Sequence, residues 1–401
     1  MKYKVLFITT SDLSGKSGHN IATNEIVEAF AVNPDIDLLL ICPKPRSVFS
    51  EIIKSHAYHI EFFNVLAPRI PFNIFPLNIL VAHYLIYTKV RKLLKKQKNI
   101  SFMVARLGGL FYSPILIKKL KNIPYFLLIR GLSNFRGLYR IKYLNKIDHR
   151  YAEKNIKLSD GIYVAYDKIK SIVSEYNDPE KIKVFNNAVN PSKFELQEKR
   201  IARETIGFNF NNKDFIVGFV GSIQDRHHIK ELIDAIEDIY SNHDIDSTKK
   251  IKILIVGDGP LLPKLKKHVH ESKYLNNNDV AFTGFVHHNK VSQYISACDV
   301  LYGVVSPNTT SNPIKCYEYL AAKRPIITTY IKDFSFVSQY NCGITLKSID
   351  IQEISDAILN FYRKDETELN KMGNNGRDYI LKNHNWNTLP KEIINDFNNI
   401  S

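Results

Sequence analysis

The chain has 401 residues, 44% of them hydrophobic and 24% charged, with a net charge of +15. That length suits two domains with well-buried cores, and the apolar content excludes a disordered chain. Cys42, Cys298, Cys316 and Cys342 are far apart and form no CxxC pair, so they read as buried free thiols of a cytosolic protein rather than a disulfide framework.

The charge is segregated. Residues 1–200 hold 32 Lys and Arg against 16 Asp and Glu, whereas residues 201–401 hold 23 against 24. Residues 51–150 alone hold 18 against 3. Such a region calls for an anionic partner: a membrane surface, nucleic acid or a phosphorylated substrate.

In chain order, MKYKVLFITTSDLS lacks the layout of a signal peptide and reads as a first buried strand. A helix near 19–32 and a strand over 37–42 follow. The most apolar long stretch, PFNIFPLNILVAHYLIY (71–87), is broken by two Asn, two Pro and a His, so it is not read as a membrane span. Strand-like runs come at 101–107, 123–131, 161–167 and 181–189, with basic helical patterns at 87–99 and 113–122. After the polar stretch 207–214 a second series begins. Its strands are expected at 215–222, 250–260, 279–286, 299–307, 324–330 and 342–346. Its helices are expected near 228–241, 261–272, 288–297, 313–322, 351–362 and 366–382. Short apolar runs alternating with helices predict parallel sheets covered on both faces. The fold class is therefore α/β, with a first domain over 1–195 joined by a closing helix at about 385–401, and a second over 196–384. Ligands of such sheets bind beyond the C-terminal strand ends, and two sheets facing each other would enclose a cleft.

Four strand-to-helix junctions stand out. SGKSG (14–18) is like the end of a P-loop, but the required first glycine is Thr10, so a nucleotide triphosphatase is rejected. Gly15 and Gly18 either let backbone amides approach an anion or form an ordinary turn. GDGP (257–260) allows a tight turn at Gly257 and Gly259, with Asp258 touching a ligand or capping a helix. GSIQDRHHIKELIDAI (221–236) places Arg226 with His227 or His228 in a loop suited to phosphate or simply solvated. No metal-ligand spacing accompanies the histidine pairs. In SNPIKCYE (311–318), Ser311 or Asn312 is expected as N-cap, with Pro313 in the first turn. The helix start and Lys315 would hold a diphosphate, and Glu318, three residues on, would accept from vicinal ribose hydroxyls. The plain alternative is a surface Lys–Glu pair.

These pieces, in this order, resemble retaining glycosyltransferases of the GT-B fold, the group usually called family 4. The likeness spans nearly the whole chain and is strongest over 159–346: SDGIYVAYDKIKSIV, FNNAVNPSKF, FVGSIQDRHHIKELIDAI, ILIVGDGPL, VAFTGFV, SACDVLYGVVSP and NPIKCYEYLAAKRPII. The resemblance implies two Rossmann-like domains facing a central cleft, the first binding an acceptor and the second a nucleoside-diphosphate sugar. It puts Glu318 on the donor ribose, and Asn312, Pro313, Ile314 and Lys315 on the diphosphate. Arg226 or His227 would be a further phosphate ligand. Gly257 belongs to a donor-side turn, and Phe285 and Val286 would flank the base. Gly18 would cover the diphosphate from the first domain. No metal or other cofactor is implied. Three positions depart from the family pattern: Thr310 where a second Glu is frequent, Ser222 for Arg, and Arg130 for a His at a strand end, which makes Arg130 the candidate catalytic residue.

The basic region then falls in the acceptor domain. Arg91, Lys92, Lys95 and Lys96, beside an aromatic-rich stretch, suit docking to anionic lipid. The expected function is sugar transfer to a lipid-linked or cell-surface glycan, by a cytoplasmic protein peripheral on the inner membrane face. The alternatives are a non-catalytic partner subunit and a nucleotide-sugar epimerase of the same fold. Nucleic acid is not expected as a partner, since no recognition module is present.

Overall fold

The computed structural model describes residues 2–15, 17–64, 77–97, 99–132, 135, 141–190, 193–194, 197–208, 210–287, 290–306 and 313–400. The chain divides into two compact units, residues 1–187 with 386–401, and residues 188–385.

The first unit is a seven-stranded sheet in the order β3-β2-β1-β4-β5-β6-β7. The strands are β1 (Tyr3–Ile8), β2 (Ile36–Pro43), β3 (His59–Phe63), β4 (Phe102–Arg106), β5 (Tyr125–Ile129), β6 (Gly161–Val164) and β7 (Ile182–Val184). Every neighbouring pair is parallel. Strands β4 and β5 are buried at every position, which is why they read as unbroken apolar runs.

The basic helix expected over 87–99 runs instead from Leu77 to Lys96. Ala82, Ile86, Val90 and Leu93 fall on its buried face, spaced as a helix requires. The interrupting His83 is no breaker. It is fully buried, with Nε2–H donating to the Gly109 carbonyl (3.0 Å) and Nδ1 accepting from Ser113 Oγ (2.9 Å). Residues 71–76 of the apolar stretch lie outside the described residues. The final helix, Leu389–Ile400, belongs to this unit. Its Phe397 ring meets Tyr3 and Phe102, and Asp396 accepts from Tyr163 Oη at 2.6 Å.

The second unit is a six-stranded sheet in the order β10-β9-β8-β11-β12-β13. Its strands are β8 (Phe215–Val220), β9 (Ile251–Val256), β10 (Val280–Phe282), β11 (Val300–Tyr302), β12 (Ile326–Thr329) and β13 (Gly343–Leu346), again parallel throughout. A helix that sequence reading passed over, Lys199–Ile206, enters this unit through Arg203. Arg203 Nη2 donates to Asp299 Oδ2 at 2.8 Å, and the same carboxylate oxygen accepts from the Ile216 amide at 2.7 Å. Both side chains are buried. Asp299→Ala would strand that guanidinium, so chemical denaturation should register a loss of about 3–5 kcal/mol.

Candidate functional site

The C-terminal edge of the second sheet is built on glycine contacts. Gly221 follows β8 with φ 153°, and Gly257 follows β9 with φ 135°. A Cβ on Gly257 would lie 1.9 Å from the Gly221 carbonyl oxygen, and one on Gly259 would lie 2.2 Å from that of Ile223. The two turns therefore rest backbone on backbone, which no larger residue permits. Gly257 N donates to the Gly284 carbonyl at 3.0 Å, so the turn after β10 joins them. Asp258 does not cap the following helix, which has no side-chain cap; its carbonyl accepts from Ile223 N (3.0 Å) and its carboxylate from Gly259 N (2.7 Å).

The helix expected over 313–322 spans Ile314–Ala321. Pro313 is its flanking cap residue, extended at φ −68° and ψ 117°, rather than part of the first turn. Its side chain carries no oxygen to accept from a helix amide, so it offers no side-chain cap. Asn312, Ser311 and Thr310 lie outside the described residues. The helix is anchored from below: Tyr319 Oη accepts from Val220 N and donates to Val220 O, both at 2.8 Å.

Lys315, in the first turn, turns inward. Its Nζ lies 4.2 Å from the centre of the Phe219 ring and is buried, with no hydrogen-bond partner among the described residues. Burial, with Arg226 adding to it, pulls its pKa from 10.5 down to about 7 against the opposing pull of Glu318. Glu318 is itself buried one turn on. This is not the solvated surface pair that the plain alternative describes.

Arg226 and His227 sit in the short turn Asp225–His227 after β8. The Ser222 carbonyl can only accept, so His227 Nδ1 carries the proton of that 2.6 Å bond. Burial first, then Lys315, lowers His227 to about 3. Its neutral Nε2 then accepts from Arg226 Nε at 3.3 Å. His228 takes the left-handed conformation at φ 49° and links Glu231 and Ser306, each at 2.9 Å. Ser306 N in turn donates to the Arg226 carbonyl at 3.2 Å. The structure thus gathers Arg226, His227, Lys315 and Glu318 around the glycine contacts. Phe285 and Val286 follow Gly284, Phe285 about half exposed and Val286 packed on the core.

The remaining candidates belong to the first unit. Gly18 opens the helix Gly18–Ala31 behind the N-cap Ser17. Arg130, just past β5, donates to the Phe185 carbonyl and to Asn187 Oδ1 (2.7 Å) and lies 5.1 Å over the Trp386 ring. Arg91, Lys92, Lys95 and Lys96 are all exposed on Leu77–Lys96. Sequence reading missed Phe219, Tyr319, Arg106 and His19; only the glycines carried a local signal. Among the described residues, Asp234, Glu237 and His268 form the one group spaced for a cation. Their carboxylates already take hydrogen bonds from Lys230, His268 and Ser272.

Residues 202–379, all in the second unit, match the family model described as glycosyl transferases group 1. Over 174 residues, 42% of this chain, the sequence is 24% identical to the alpha-monoglucosyldiacylglycerol synthase of Streptococcus pneumoniae strain ATCC BAA-255 / R6; the match takes in 37% of that relative's length. Among solved structures, the fold is similar to sucrose-phosphate synthase from Thermosynechococcus elongatus, with a TM-score of 0.72 and 16% identity over 100% of this chain and 99% of that one. It is also similar to HepE of Anabaena in complex with UDP, with a TM-score of 0.70 and 13% identity over 100% of both chains.

If a diphosphate binds the ammonium form of Lys315, affinity should be flat well below pH 7 and fall above it, by up to about tenfold per pH unit. His227 stays neutral across that range and contributes nothing to the profile. Calorimetric titration with UDP-glucose, whose diphosphate does not change charge there, measures this. Lys315→Met should flatten the profile.

Proposed function

We propose that this chain, with the GT-B fold and with residues 202–379 matching the group 1 glycosyl transferases, moves a sugar from a nucleoside diphosphate to a glycan or glycolipid acceptor, with retention of configuration. The observation that carries this reading is the buried ammonium of Lys315, without a hydrogen-bond partner among the described residues, at the head of a helix on the sheet's C-terminal edge. A charge kept there without a partner costs stability unless a ligand anion completes it. The helix N-terminus adds its own free amides and dipole. Together they supply the positive field that a departing nucleoside diphosphate needs, so the residues present require no metal. Arg226, held in place by neutral His227, brings a second cation to the same side. Glu318 is the ribose ligand in this reading.

The acceptor is proposed to lie at a membrane surface. Besides the exposed Arg91, Lys92, Lys95 and Lys96, the neighbouring helix Ser113–Lys121 exposes Leu116 and Leu120 beside Lys119 and Lys121. Lysines around protruding leucines match anionic headgroups over acyl chains. Among the described residues no helix is long and apolar enough to cross a membrane. This reading places the protein peripherally, on the cytoplasmic face.

Three measurements test the proposal. Thermal shift with UDP, GDP, ADP, CDP and dTDP sugars should reveal one preferred donor, and Glu318→Ala should abolish that shift. Lys315→Met should weaken donor binding at least about tenfold while stabilising the free protein by about 1–3 kcal/mol, since it replaces an uncompensated buried cation. A stable variant with unchanged affinity would refute the diphosphate assignment. Flotation with anionic vesicles should carry the protein upward, neutral vesicles should not, and Lys92→Glu with Lys95→Glu should abolish the difference.

A further inference from the structure

Arg106 is the last residue of β4 and is 4% exposed. Its Nη1 donates to the His19 carbonyl and its Nη2 to His19 Nδ1, both at 2.8 Å. A guanidinium has five N–H donors, so three remain. Nε is buried with no partner, and no carboxylate pairs with this side chain among the described residues. Both groups that engage it are neutral. Burial first, then Arg106 itself, lowers His19 to about 4, and His19 Nε2–H donates to Ser11 Oγ at 2.9 Å. A second cation adds to the imbalance: Arg130, past the end of the adjacent β5, together with burial brings Arg106 from 12.5 to about 9.

The location is specific. From β1 the sheet order runs to β2 on one side and to β4 on the other, so the ends of β1 and β4 flank the switch point of the first sheet. There the loops after both strands approach closely: a Cβ on Gly108 would lie 2.6 Å from Thr10 Oγ1. The helix Gly18–Ala31 starts at the same place. Ser17 accepts from the amides of Asn20 and Ile21, and the positive end of the helix dipole lies at the same strand ends.

We propose that Arg106, with the head of the Gly18–Ala31 helix, forms an oxyanion seat that holds a phosphate or carboxylate group of the acceptor, in place of the donor diphosphate that the resemblance puts at Gly18. This assignment rests on the reading of the first unit as the acceptor side. It narrows the acceptor class to molecules carrying an anionic group. The competing role is a brace, in which Arg106 only ties the first helical turn to β4.

The experiment titrates the full chain with inorganic phosphate, D-glucuronate and neutral D-glucose at constant ionic strength, reading thermal shift and calorimetry. Wild type and Lys315→Met should both show a saturable response to phosphate, glucuronate or both, and none to glucose. Which anion binds distinguishes an acceptor phosphate from an acceptor carboxylate. In the Lys315→Met background, which removes the other anion site, Arg106→Gln should lose the response, and alone it should keep the circular dichroism spectrum and the UDP-dependent shift. Arg106→Lys, which keeps the charge without the fork, should bind about tenfold more weakly. An anion response that survives Arg106→Gln in the Lys315→Met background, or one that Lys315→Met alone removes, would overturn the proposal. So would a wild type that responds to no anion, or a folded Arg106→Gln that loses UDP as well. If Arg106→Gln does not fold, Arg106→Lys decides, and unchanged phosphate affinity in it overturns the proposal. A chain that binds phosphate through Arg106 but no nucleotide would sink the transferase reading alone.

Discussion

Parallel pairing is the constraint from which the rest follows. In each unit every strand leaves the sheet by the same edge, so turns, helix starts and their free amides collect there. An edge so crowded admits little side-chain volume, and the glycines at 221, 257 and 259 are its direct result. It is also an edge where positive field accumulates, from helix dipoles all pointing the same way. The two buried cations, Lys315 in one unit and Arg106 in the other, intensify that field when nothing nearby neutralises it.

Both cations share a physical logic. Each lies next to a histidine that burial keeps neutral, and each of those histidines is fixed by a partner that sets which nitrogen carries its proton. A neutral imidazole beside a cation can orient it without cancelling it. A carboxylate in the same position would form an ion pair and remove the reason for an anion to enter.

The alternation of apolar runs and helices made the two sheets legible from sequence, because strands buried on both faces leave continuous signals such as FMVAR and YFLLI. The strand His59–Phe63 was not legible: it lies at the sheet's edge, mixes His and Glu with Phe, and carries no uniform apolar signal. The helix Leu77–Lys96 was half legible, since a buried histidine satisfied by a distant serine looks in sequence like an interruption. At the candidate site, SNPIKCYE announced a capped helix with one Lys and one Glu. That Lys315 would lie under the edge against Phe219, rather than in water, depends on a residue almost a hundred positions away. Arg106 was silent for the same reason: its meaning comes from the lack of a paired carboxylate among the described residues, which no local pattern records.

The helix Leu389–Ile400 has a consequence for how the molecule comes into being. The surfaces of Tyr3, Phe102 and Tyr163 that it covers leave the ribosome before their cover, which is translated only after the whole second unit. The second unit is one uninterrupted stretch and can close as soon as it emerges. At roughly 5–20 residues per second, the first unit waits on the order of ten to forty seconds with that apolar face bare. The second unit is thus complete before the first, whose closing helix follows it in the chain.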